Sequence, residues 1–113
     1  MPAQAHTITF WVDEEGFHYR DQGNQDARRK HVKKADSVAW RSRGKQDFVI
    51  LFAGPWPFAD PPRIIDGTGG ETKPLEVTLT PAPGKPIECK YTVTLKSGLS
   101  NDPEIIIDPN GGD

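Results

Sequence analysis

The residues with the most reactive side chains are three histidines, His6, His18 and His31, and a single cysteine, Cys89. Imidazoles hold zinc when three or four ligands converge at ~2.0–2.1 Å. No two of these histidines have the close spacing of a zinc motif, so they read as ordinary surface histidines. A nucleophilic cysteine needs a nearby base and a lowered pKa. Cys89 instead falls in register with Ile87, Tyr91 and Val93 in an alternating run, the pattern of an inert core thiol. As the only cysteine it rules out an intrachain disulfide. Ser37, Ser42, Ser97 and Ser100 lie in no G-x-S-x-G context. Gly67-Thr68-Gly69-Gly70 lacks the Lys-Ser/Thr and the helix that complete a phosphate loop. Asp102, Glu104 and Asp108 have calcium-binding oxygens but no calcium-loop spacing, and read as turn and edge residues. The sequence therefore predicts no catalytic residue, no metal and no cofactor.

Binding features stand out more. In the segment 52–62, FAGPWPFADPP, Trp56 and Phe58 are interleaved with Pro55 and Pro57. Proline stiffens a loop, and aromatics on a stiff loop lose little entropy on docking. The competing reading folds the loop back as a cap on the core. A second feature is charge. Residues 1–45 carry nine Lys/Arg against six Asp/Glu, whereas residues 46–113 carry five against ten. Arg28, Arg29, Lys30, Lys33, Lys34, Arg41, Arg43 and Lys45 would form one basic stripe if the strands around 30–34 and 38–42 pair. Such a stripe can meet phosphates, but the same lysines also guard an exposed edge strand. The net charge of −2 argues against a nucleic-acid partner. Trp11, Tyr19 and Trp56 are candidate stacking platforms for a carbohydrate or small ligand.

The elements that must position these residues are short strands. Eleven Gly and eleven Pro leave little room for long helices in a chain of 113 residues, the size of one domain spanning 1–113. His6 to Val12 alternates with a period of two and should form a hairpin with Phe17 to Arg20 across the turn 13–16. Lys30 to Lys34 reads as an edge strand, and Val38 to Ser42 as a strand with Val38 and Trp40 on one face. The run Phe48 to Ala53, FVILFA, suits a strand buried on both faces. The prolines of 54–62 make that stretch loop, and Thr68 to Thr72 is a Gly-rich linker. Leu75 to Thr80, Ile87 to Leu95 and Glu104 to Asp108 complete seven to eight strands. The class is an all-β sandwich. No apolar stretch approaches the ~18 residues of a membrane span and no leader peptide begins the chain. A cytoplasmic location is expected, or a periplasmic one if a leader has been removed.

Three segments in order, Val32 to Trp40, Tyr91-Thr92-Val93 and Ile105-Ile106-Ile107, resemble the cupredoxins. The first is similar to the family's turn with Gly-Asp ahead of Val-x-Trp, with Ala35 in place of the glycine. The other two are similar to its penultimate and closing strands. The resemblance implies a Greek-key β-sandwich. In copper-binding members it also implies two His, a Cys and often a Met around the metal. Here the positions expected for the first His and the Cys carry Asp47-Phe48 and Val93, and no His or Met follows Tyr91. The chain thus resembles metal-free, bacterial domains of this type. The expected function is a non-catalytic module for protein interaction or self-association, docking through Trp56 and Phe58. A carbohydrate or small-ligand binder, or a metal protein using His6, His18 or His31, are the alternatives.

Overall fold

A computed structural model describes residues 3–59 and 64–109. Ten strands follow in order: β1 (Ala5–Asp13), β2 (Gly16–Arg20), β3 (Arg29–Val32), β4 (Ser37–Ser42), β5 (Phe48–Phe52), β6 (Ile64–Gly67), β7 (Leu75–Glu76), β8 (Ile87–Leu95), β9 (Ser100–Asn101) and β10 (Glu104–Ile107). A single 3-10 turn, Thr68–Gly70, interrupts them.

The strands form two mixed sheets. The first has the order β2-β1-β4-β7; the second runs β3-β10-β8-β5-β6, with β9 also paired to β8. The β1–β2 hairpin is antiparallel, while β1–β4 and β10–β3 are parallel. Alternation decides which side chains meet between the sheets. Ile8, Phe10, Tyr19, Val38 and Trp40 point inward from the first sheet, and Phe48, Ile50, Phe52, Tyr91 and Val93 from the second. The Trp40 indole N–H donates to the Tyr91 hydroxyl at 3.1 Å, tying β4 to β8 across the core. Phe10 meets Phe48 edge-on, with ring centroids 4.8 Å apart. Such edge-to-face pairs add about 0.5–1.5 kcal/mol beyond area burial. The arrangement is that of a β-sandwich, and no helix among the described residues is long and apolar enough to cross a membrane.

Three expectations change. The run FVILF is not buried on both faces: Val49 and Leu51 point outward between buried Phe48, Ile50 and Phe52. β5 has neighbours on both sides, and its outward side chains stay about half-exposed. Strands β3 and β4 do not pair, because the turn at 33–36 carries the chain from the second sheet to the first. Finally, the strand expected over Leu75 to Thr80 stops at Glu76. The next residues turn to the proline loop, with Val77 bridged to Phe58 and the Thr78 N–H donating to the Pro57 carbonyl at 2.8 Å.

Candidate functional site

The proline loop divides into an outer and an inner half. Pro55 is exposed and Trp56 half-buried, whereas Pro57 and Phe58 are buried, Phe58 at 4% exposure. Phe58 stands edge-on to Trp40, Phe52 and Trp56, with centroids 6.1, 5.9 and 5.2 Å away. Its bridge to Val77 anchors it from the backbone side. The inner half of the loop is thus the cap on the core, and Phe58 and Pro57 offer no exposed docking surface. The reason is local. Pro57 lends its carbonyl to Thr78, and the following ring packs edge-on against Trp40.

Just before this loop, the outer face of the second sheet carries Val49, Leu51 and Ile64 at 43, 47 and 52% exposure. Leu51 is the direct cross-strand partner of Ile64 on β6, and of Thr92 on β8; Val49 lies between Asp66 and Thr94. The three aliphatic side chains therefore form one patch, bordered by threonines. Among the described residues the fourth large apolar side chain this exposed, Leu99, lies in the turn between β8 and β9. Sequence reasoning missed this patch because an unbroken apolar run looks like a strand buried on both faces. The outward threonines of β8 were the available signal.

The basic residues do not form the expected stripe. Arg28, Arg29 and Lys30 go with the second sheet, Arg41 and Arg43 with the first, and Lys33 and Lys34 with the turn between. Several are also neutralised locally. Arg29 pairs with Glu104 and Lys30 with Asp21. Arg28 donates to the Phe17 carbonyl and lies over the Tyr19 ring.

The histidines stay apart, each on its own carboxylate: His6 with Asp36 at 2.8 Å, His18 with Asp13 at 2.9 Å, His31 with Asp108 at 3.0 Å. Of these, His6 departs from the surface reading, being only 6% exposed. It follows the inward phase of Ile8 and Phe10 on β1. Its Nε2–H donates to Asp36, and its Nδ1 has no hydrogen-bond partner. Burial pushes the Asp36 carboxyl up, but the N–H of Gln4, the His6 ring and the N–H of Lys33 outweigh it. They hold the group below the usual carboxylate value. Among the described residues no three or more His, Cys, Asp or Glu gather as a metal ion requires.

The remaining candidates are structural. Cys89 is fully buried, and burial pushes its thiol up to about 11, the opposite of an activated nucleophile. Asp102 accepts from the Thr92 hydroxyl, Glu104 from Arg29 and Asp108 from His31, so the three acids serve separate partners. Tyr19 is buried, with its hydroxyl donating to Asn101 at 2.9 Å, and cannot act as a stacking platform beside Trp11. Trp11 lies on the outer face of the first sheet and Trp56 in the loop after β5, so the three rings share no cleft. An open depression of about 470 Å³ is lined by Gln46, Asp47, Leu95, Lys96 and Ser97. Its only acid, Asp47, already accepts from the Gly69 N–H. No family model matches the chain, and no curated protein matches it significantly.

Proposed function

We propose that this chain is a non-catalytic protein-interaction module, docking through the outer face of its second sheet around Leu51, Val49 and Ile64. The carrying observation is the contiguity of these three exposed aliphatic side chains. Single exposed hydrophobics are ordinary, but a contiguous patch marks a contact surface. Polar Thr92, Thr94 and Asp66 at its border resemble the rim of an interface. The partner is a protein, either a different chain or a second copy.

We also infer a cupredoxin-like relationship for the sandwich. The three segments that carry the resemblance become the β3–turn–β4 unit, β8 and β10. Ala35, in the place of the family's glycine, has φ +78°, a left-handed conformation that favours glycine. At the positions where copper ligands would be expected, Phe48 and Val93 are buried apolar side chains within the core. That supports a role in binding over one in metal chemistry.

The test is affinity capture from the source cells with the intact chain and with a Leu51→Lys/Ile64→Lys variant, alongside sedimentation of both. Both residues are exposed, so the variant's stability should change by less than about 0.5 kcal/mol. The reading expects a partner, or a dimer, that the variant loses. An unchanged set of partners and an unchanged oligomeric state would overturn it.

A further inference from the structure

The outer face of the first sheet carries a cluster of a different kind. Two rows of side chains cross its strands. In one row, Thr9 on β1 is the direct partner of Arg20 on β2 and of Arg41 on β4. In the next, Trp11 is the partner of His18 on β2, and Arg43 follows β4 with its N–H bonded to the Phe10 carbonyl. The alternation that buries Ile8, Phe10 and Trp40 turns all of these side chains outward. Three arginines thus share one face of a protein whose net charge is −2.

The cluster is ordered by stacking. The Arg43 Cζ sits 3.5 Å from the centroid of the Trp11 ring. His18 stacks on the same indole, with centroids 5.1 Å apart and an interplanar angle of 17°. Arg43 and His18 approach from strands on opposite sides of β1, so they cover the two faces of the indole. His18 is in turn held by Asp13. A stacked guanidinium is pre-organised and keeps its N–H edge available for bidentate bonding.

Among the described residues, none of Arg20, Arg41 and Arg43 is in an ion pair. In the ladder Asp26 stands opposite Arg20 and Glu71 opposite Arg41, and neither closes on its arginine. Arg20 and Arg41 flank Thr9 at two inter-strand spacings, roughly 10 Å. Arg41 and Arg43 are two residues apart, roughly 7 Å. That second distance is the repeat of alternate side chains along an extended chain.

We propose that this face binds an acidic, extended segment of a partner protein, with carboxylates at alternate positions bridged to Arg41 and Arg43 and a further one to Arg20. Charge complementarity selects an anion. The covered indole selects a peptide over a single-stranded nucleic acid, because bases need a free aromatic face on which to stack. Asp26 and Glu71, at the two ends of the Arg20–Arg41 row, also confine the positive strip to a few side chains. This surface lies on the other sheet from the aliphatic patch and does not depend on it.

The experiment is a fluorescence-anisotropy titration of the intact chain with a dye-labelled peptide of alternating Glu and Thr, at low and at high salt. An oligothymidylate of equal length is titrated in parallel. Saturable peptide binding that weakens with salt is expected, with the oligothymidylate weaker. Arg41→Gln/Arg43→Gln should weaken peptide binding about ten-fold or more. Lys85→Gln/Lys96→Gln removes the same charge elsewhere and should change it little, as should Leu51→Lys/Ile64→Lys. Absence of saturable peptide binding, tighter binding of the oligothymidylate, or equal losses in the arginine and lysine variants would each overturn the proposal.

Discussion

The two outer faces of the sandwich rest on one shared core and differ in almost everything else. On the first sheet the outward residues are Thr9, Trp11, His18, Arg20, Arg41 and Arg43, and the one large apolar ring is covered by charged or polar side chains. On the second sheet the outward residues of β5 and β6 are Val49, Leu51, Ile64 and Asp66, and the aliphatic ones are left open. The contrast teaches that inward positions and outward positions answer to different demands. Folding dictates Phe10, Trp40, Ile50 and Tyr91, since each fills the space between the sheets. It does not require Leu51 to be leucine or Arg43 to be arginine. A solvated sheet face is ordinarily polar, and the open aliphatic patch is the surface proposed for a protein partner. The guanidinium row, which closes no ion pair among the described residues, is the surface proposed for a partner of opposite chemistry.

The sharpest way to separate the core from both faces is Phe58→Ala. Removing a buried aromatic from the Trp40–Phe52–Trp56 cluster should cost about 3–5 kcal/mol in urea denaturation and weaken binding at both faces together. A variant that keeps its stability yet loses only the partner of the second sheet would instead make Phe58 part of that interface. Next is Asp36→Asn, at the crossing between the sheets. Asp36 accepts from Gln4, His6 and Lys33, and the loss of these charge-assisted bonds should cost about 2 kcal/mol at neutral pH. Because the folded carboxyl titrates below its ordinary value, its contribution is complete above that value. It is lost as pH falls through the lower, folded one. The wild type should therefore lose stability below pH ~4 more steeply than the variant, as read from denaturation midpoints across the acid range.

Smaller effects test the faces themselves. Trp11→Ala should cost about 1 kcal/mol, most of it the cation–π contact with Arg43, and should loosen acidic-peptide binding while leaving the second-sheet partner untouched. Equal effects on both partners would break the contrast. Ala35→Gly relieves a left-handed φ of +78° and should raise stability by about 0.5–1 kcal/mol, with no change at either face.

Much of the fold was legible in residue patterns. The alternation of β1 and β8, the β1–β2 hairpin, the edge position of β3 and the inward pair Val38 and Trp40 all follow from a period of two. The burial of Cys89 follows from its register with Tyr91 and Val93. What failed were inferences about which strands meet. Nothing in the composition of residues 33–36 says that the chain changes sheet there, so the expected basic stripe was drawn across two separate sheets. β6 was missed because Ile64-Ile65-Asp66-Gly67 is too short to declare a period. Residue type alone suggests a surface position for His6, although its phase with Ile8 and Phe10 points it inward. The rows on the first sheet were invisible for a similar reason. Arg20, Arg41 and Arg43 become neighbours only through the parallel pairing of β1 with β4, which links residues more than thirty positions apart.

The most direct test of the account places a photo-crosslinking amino acid at Leu51 of the intact chain in its source cells, with Lys85 as the control position in a distant turn. The account predicts a discrete covalent protein adduct from position 51, either with a partner or with a second copy, and none from position 85. No adduct at 51, or the same adducts from both positions, would contradict the claim that this face is where the protein binds.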